Sequence, residues 1–449
     1  MRSLLRVRRD VDDVRAEVVV RALVVFALLA LASHARADSG ATDGESARAA
    51  ALADSVVARA GDTSAIYFNP AGIADIDRTT ITLLGHAAYF QLDAARTGEP
   101  STSSDRAIGG YGISLVVPLP GPEWLRRVRL GAAIHVPSSG IITVGAPTRS
   151  DVPNAPMYAD RLDRTAATFS MGIALPGHVD VGVGVTVAPS LFGPTNVSYD
   201  VNRGTTIDSG VVVDLDRNVR FGGALLLGAR WAPVPQFSVG AAYRQGVSLH
   251  AQSDIQLSAG SILASDPLDF VDTFSVDEVA IGVAFQLLPE LSLSGDMTWS
   301  NWSSFRSTRD VIPTPGFRDT VSIRAGAEYV VDRWAAFRLG YAFEPTPVPA
   351  QVALSSYLDA DRHVITGGFG VDLEPLTHTP LHVDLYVRAH AVGGISFTKD
   401  TTQLPDADPS TPGQQISALG YPGMSASILY FQAGLSLTLS LGDPSVVSR

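Results

Sequence analysis

The sequence predicts an all-β fold: a fourteen-stranded antiparallel transmembrane β-barrel with an N-terminal hatch, or plug, segment. Three observations predict it. From Thr79 onward the chain repeats runs in which apolar side chains alternate with polar or small ones, the period of a strand with two unlike faces. The connections between the runs alternate short and long, as periplasmic turns and extracellular loops do. Charged residues in mid-run fall on one face only, the face that lipid cannot border.

The chain has 449 residues, no cysteine, 41 glycines and a formal net charge of −12. Without cysteine there is no disulfide framework, thiolate metal site or cysteine nucleophile. An acidic chain without a basic run argues against nucleic acid as a partner.

Residues 1–37 read as a cleaved signal peptide. Arg2, Arg6, Arg8, Arg9 and Arg15 precede an apolar stretch from Val18 to Leu31, and Ala35-Arg36-Ala37 supplies the small-x-small cleavage pattern. Asp10, Asp12, Asp13 and Glu17 are unusual in such a region, and a start nearer Val18 would remove them. A membrane anchor is the other reading, but the apolar run is broken by Arg21, and a spanning helix needs about 20 apolar residues.

Residues 38–78 do not alternate. Ala47 to Ala60 is alanine-rich and helix-compatible, and Tyr67-Phe68-Asn69-Pro70-Ala71-Gly72 is a turn signal. The segment is either a periplasmic tail or a plug, since a barrel of this size is too wide for side chains alone to fill.

The barrel is expected over 79–442, followed by a tail at 443–449. Its strands fall near 79–92, 111–118, 128–136, 163–175, 178–191, 218–231, 236–249, 276–288, 290–302, 319–330, 335–344, 362–372, 380–391 and 426–441. The fifth is typical. Val179, Val181, Val183, Val185 and Val187 share one face, and Asp180, Gly182, Gly184 and Thr186 the other. In three later strands Arg324 and Glu328, then Arg338 and Glu344, then His382, Asp384, Arg388 and His390 oppose apolar faces and are assigned to the lumen. Trp124, Trp231, Trp299, Trp302 and Trp334 lie at strand ends, where aromatic girdles place them. A soluble β-sandwich also alternates, but it does not require long loops at one end only.

Four stretches resemble the outer-membrane long-chain fatty-acid transporters of the FadL/TodX type. Asn69-Pro70-Ala71-Gly72 before the first strand is similar to the family's hatch. Met297 to Phe305, with Trp299 and Trp302, resembles its Trp-rich strand end. Arg338-Leu339-Gly340-Tyr341 through Pro347 to Gln351 resembles a later strand and loop. Asp359-Ala360-Asp361-Arg362-His363, with Gly367-Gly368 behind it, resembles the opening of the next strand. They occur in family order across residues 47–442. The resemblance implies a monomeric plugged barrel in the cell outer membrane, in contact with its lipid. It implies passive transport of fatty acids or other hydrophobic compounds such as aromatic hydrocarbons, with sideways release at an inward-kinked strand. The chain departs from the usual barrel ending, because its last strand is followed by Gly442 to Arg449 rather than closing on an aromatic residue.

Among candidate sites, Asn69, Pro70, Ala71 and Gly72 carry the hatch motif. Arg324 and Arg338 are candidate ligand-binding residues, since Arg pairs with carboxylates; the plainer reading is that they pair with Glu328 and Glu344. Pro137 and Gly140 are lateral-gate candidates, because proline lacks a ladder donor, with loop entry as the plainer reading. The aspartates at 357–361 and 406–408 read as solvated loops, and no metal or cofactor is expected. No Gly-x-Ser-x-Gly, His-Glu-x-x-His or phosphate loop is present, so an enzyme is not expected. The alternative to a hydrophobic-compound channel is a general porin or a structural or adhesive barrel.

Overall fold

The computed structural model describes residues 46–59, 61–138, 153–155, 157, 165–192, 195–199, 211–215, 218–259, 262–332, 334–403 and 422–442. The signal-peptide stretch 1–37, Gly140, the aspartates at 406–408 and the tail 443–449 lie outside these residues.

Fourteen strands form a closed antiparallel ring: β1 (Thr79–Arg96), β2 (Thr102–Pro118), β3 (Val128–Pro137), β4 (Ala166–Leu175), β5 (Val179–Phe192), β6 (Asn218–Val234), β7 (Phe237–Arg244), β8 (Glu278–Gln286), β9 (Leu291–Ser300), β10 (Thr320–Val330), β11 (Ala335–Glu344), β12 (Arg362–Asp372), β13 (Leu381–Val392) and β14 (Gly423–Leu441). Each pairs with the next, and β14 returns to β1 over the full register from Thr79↔Leu441 to Arg96↔Met424. Closure leaves no unpaired edge, which a bilayer requires of any sheet that crosses it.

The two faces show which surroundings this ring suits. Outward side chains are large and apolar: Leu339 is 68 % exposed, Val387 63 % and Ile365 61 %. Each such residue left in water forfeits about 1.5–3 kcal/mol of burial, so this outer band fits hydrocarbon. Inward side chains at the same depth are polar and buried, among them Asp180, Asp296, Glu328, Arg338, Asp384 and Arg388.

Several elements differ from the expected boundaries. β1 and β2 run on past the bilayer and meet in a tight turn, so the expected loop 93–110 is mostly hairpin. Within the expected loop 192–217, Thr195–Tyr199 pairs with Val211–Leu215. Within 250–275, Ser248–Ala259 pairs with Ile262–Phe274. The first of these hairpins runs parallel to Ser248–Ala259 along the rim. Ile395–Thr398 pairs with the upper end of β14. Trp302 does not sit in a girdle; it packs beside Phe305 in an aromatic cluster of the outer loops, where Phe305 stacks on Phe317 at 4.2 Å and Tyr357 meets both edge-on.

Residues 46–59 and 61–76 lie inside the ring. They form α1 (Ala47–Ala51), α2 (Ala65–Phe68) and a 3-10 helix, η1 (Pro70–Asp75). Ser46 caps α1 by accepting from Ala49 N at 3.1 Å. Ala47, Ala49, Ala50, Ala51, Leu52, Ile66 and Ile73 are fully buried, against wall residues such as Leu84, Val116, Ala133 and Tyr386.

Candidate functional site: a sealed lumen

The internal segment is held in three ways. The first is a clasp of ions. Arg48 Nε and Nη2 donate to Glu328 of β10 at 2.9 Å each, and Arg59 Nη1 donates to the same carboxylate at 3.2 Å. Arg338 of β11 reaches it from the wall, with Nε 2.6 Å from Oε2, and Arg338 Nη1 donates to Asp384 at 2.6 Å. Glu328 thus joins two arginines of the internal segment to one of the wall. The Glu328 charge holds the Arg48 guanidinium above its usual range. Burial pulls Arg59 down to about 10, with Arg48 alongside pushing the same way, so both stay charged at neutral pH. On other sides Arg388 Nη2 donates to Asp54 at 2.7 Å, and Arg230 Nη1 donates to Asp75 at 2.7 Å and to Asp180 at 2.9 Å. Asp296 of β9 accepts from Val57 N at 2.9 Å.

The second hold is the Asn69-Pro70-Ala71-Gly72 turn. Asn69 is fully buried. Its Oδ1 accepts from Ala71 N at 3.1 Å and so caps η1, while Nδ2 donates to Val57 O at 2.7 Å and to Ala229 O of β6 at 3.1 Å. A side chain with one acceptor and two donors in this arrangement is asparagine, and proline at the first helical position suits a cap. Gly72 N closes the turn on Asn69 O at 2.8 Å.

The third hold is a belt of inward glycines. Gly131, Gly172, Gly182, Gly228, Gly240, Gly282, Gly326, Gly340 and Gly368 lie on nine different strands. A Cβ on Gly131, Gly172, Gly182, Gly228, Gly240, Gly340 or Gly368 would come closer than 3.0 Å to an atom of the internal segment; at Gly282 and Gly326 it would meet that segment at 3.0 Å. At Gly172, Gly182, Gly228, Gly240, Gly326 and Gly340 backbone of the internal segment comes within 3.1 Å of where that Cβ would stand, a closeness glycine permits. At β9 the belt is interrupted, and Asp296 reaches in to Val57 instead.

These holds were only partly legible in the sequence. The turn motif was visible, and so were the inward charges. Their partners were not, because Arg48, Asp54, Arg59 and Asp75 lie in a segment without periodicity. The glycine belt carries a usable signal: nine strands each place a glycine on the inward phase.

Of its two readings, Arg338 has the pairing of the plainer one. It is 4 % exposed and committed to Glu328 and Asp384. Arg324 donates to Glu344 at 2.9 Å and to Thr298 and Ser322 at 3.1 Å each. Glu344 also pairs with Arg362 at 3.3 Å. Pro137 ends β3 opposite Gly110. In the 357–361 loop, Asp359 accepts from Thr346 Oγ1 at 2.7 Å and Asp361 accepts from Thr346 N at 2.8 Å, so these two carboxylates tie a turn.

Toward the outside, the lumen turns apolar. Phe90 of β1, Ile428 and Tyr430 of β14, Ile395 and Phe397 of the short rim strand, and Leu358 of an outer loop pack together.

Residues 179–387 match the family model for outer membrane protein transport proteins, OMPP1/FadL/TodX. The chain is 30 % identical over 88 residues to the long-chain fatty acid transport protein of Escherichia coli K12, and similarly to that of Salmonella typhi over 91. The match spans about a fifth of the length of these curated relatives and 18 % of this chain. Solved structures share the fold more widely. A Pseudomonas aeruginosa FadL homologue superposes with a TM-score of 0.57 at 18 % identity, covering 91 % of this chain and 99 % of that one. The Pseudomonas putida toluene transporter TodX gives 0.55 at 14 % identity, covering 89 % and 99 %. The CymD monoaromatic hydrocarbon channel gives 0.53 at 14 % identity, covering 90 % and 100 %. Over residues 179–387, and in its closed fourteen-strand ring, the chain is thus similar to the outer membrane transport proteins of the OMPP1/FadL/TodX family.

Proposed function

We propose that the protein carries hydrophobic small molecules passively across the outer membrane, and that residues 46–76 are the hatch of that channel. The observation that carries this reading is the sealed lumen. Ion pairs, the Asn69 turn and the glycine belt fix a plug across the ring, and an apolar lining lies above it. A water-filled pore has no use for such a lining. An apolar solute gains about 25 cal/mol for each Å2 it removes from water there.

The family's relatives are named for long-chain fatty acids, toluene and monoaromatic hydrocarbons, and these classes define the candidate ligands. Release is sideways into the membrane, because the plug lies across the straight path. Pro137 and Gly140 mark the place for it: Pro137 has no N–H to donate, and the β3–β4 ladder stops at His135↔Ala166. Ligand binding moves the hatch by favouring the conformer that admits it. Arg324, half-open on the lumenal side and shared with Glu344, is the remaining basic candidate near the ligand's path. A general porin needs an open lumen, and the position of residues 46–76 weighs against one.

The test is uptake of labelled oleate and toluene by a Gram-negative strain lacking its own fatty-acid transporter and expressing this chain. Rescue by either ligand supports the proposal and selects the class. Absence of rescue by both, with the barrel recovered from the outer membrane, would overturn it.

A further inference from the structure

Three inward side chains hold shielded polar atoms with no hydrogen-bond partner among the described residues. His86 of β1 is 7 % exposed and Gln432 of β14 is 3 % exposed. His390 of β13 has both ring nitrogens shielded from solvent. Among the described residues, the two nitrogens of each histidine and the two amide atoms of Gln432 have no hydrogen-bond partner. Folded proteins rarely leave such atoms unpaired, because each one forfeits its bonds to water.

The register brings the three together. Gln432 sits between Ala88 and Arg388, while His390 pairs with Tyr430 and His86 with Gly434. Each histidine is therefore a diagonal neighbour of Gln432, within reach of long side chains. The patch lies where the two halves of the lumen meet. Below it, Arg388 Nη2 bonds Ala50 O of α1. Above it, the Tyr430 ring lies 4.3 Å from His390 and 6.5 Å from Phe90, and both aromatics belong to the apolar lining.

Charge decides what this patch suits. The cations around it already have carboxylates: Arg388 has Asp54, Arg338 has Glu328 and Asp384, and Arg324 and Arg362 share Glu344. A ligand carboxylate would arrive as a buried charge without a counterion of its own. A hydroxyl both donates and accepts. So does a neutral imidazole, and so does an amide.

We propose that His86, His390 and Gln432 form a head-group site at the inner end of the apolar lining, and that it selects an apolar ligand carrying a neutral hydroxyl over a carboxylate or a bare hydrocarbon. The site rests on the transport reading above and narrows its ligand class. The hydroxyl accepts from the Gln432 amide and donates to an imidazole nitrogen. Tyr430, packed on His390, is the side chain that an arriving head group turns aside.

The experiment uses the full chain in detergent and equilibrium dialysis at fixed detergent concentration, with labelled 1-dodecanol, dodecane and dodecanoate at pH 8. Dodecanol is expected to bind about tenfold more tightly than either of the others, the weight of one well-made hydrogen bond. Gln432→Met, similar in size without the amide, is expected to erase that preference and leave dodecane binding unchanged. His390→Phe gives the same comparison if the first variant does not assemble. Dodecanoate binding as tightly as dodecanol, or a Met variant that keeps the tenfold preference, would overturn the head-group site and leave the transport reading standing. If none of the three probes binds the wild-type chain, the transport reading falls and the site falls with it.

Discussion

At the scale of single residues, Glu328 is where the internal segment and the wall share one charge. Three guanidinium groups converge on it, two from the plug and one from the wall. Its side chain is only 10 % exposed. Removing one partner of a buried ionic cluster strands the others, at a cost of about 3–5 kcal/mol. Glu328→Gln is therefore expected to loosen residues 46–76 without opening the ring. Limited proteolysis should cut the N-terminal segment while the barrel keeps its heat-modifiable gel mobility. Unchanged protection would show that the clasp does not hold the plug. The sequence places Glu328 on the inward face by parity alone, and it offers Arg338 as the partner. Arg48 and Arg59 were out of reach, since pairs separated by 280 and 269 residues leave no local trace.

At the scale of elements, the strands were legible and the rim was not. Alternation marks a strand only where its two faces meet different surroundings. Inside the bilayer one face meets hydrocarbon and the other the lumen, so β3, β11 and β12 end within a residue of their expected limits. Beyond it, the outer ends of β1 and β2 lose that contrast and read as loops, and the strands Ser248–Ala259 and Ile262–Phe274 fall almost wholly in an expected loop. The helices of residues 46–76 were not legible, because short helices packed by contact with glycine need no amphipathic period. Their seating is testable at one strand. A Cβ on Gly228 would collide with Asn69 and Pro70, whereas one on Gly223, on the opposite face of the same strand, meets only Val185 and Thr186 at 3.6 and 3.9 Å. Overpacking of this kind costs about 1–3 kcal/mol. Gly228→Ala is expected to raise single-channel conductance in planar bilayers, and Gly223→Ala to leave it at the wild-type level. Equal conductance in the two variants would mean that the belt does not seat the plug.

At the scale of the whole molecule, the outer surface sets the environment and the inner surface sets the passage. Leu339 stands at mid-strand on β11 and is 68 % exposed. Leu339→Arg is expected to destabilise the barrel by about 2–4 kcal/mol, as measured by urea titration in lipid vesicles, because the guanidinium then faces the bilayer midplane. A loss under about 1 kcal/mol would remove Leu339 from the hydrocarbon band.

The glycine belt also sets a timetable for assembly. The surfaces that receive residues 46–76 come from strands scattered between β3 and β12, and the hydrogen bond from Ala47 N to Ser436 Oγ spans 389 positions of the chain. That cradle is complete only when the ring has brought β3 to β12 and β14 together. Contacts at such separation form late. Residues 46–76 precede every strand of the ring in the chain and thus find their place after all of them, and a molecule halted just before that step is a finished cylinder with its filling still outside.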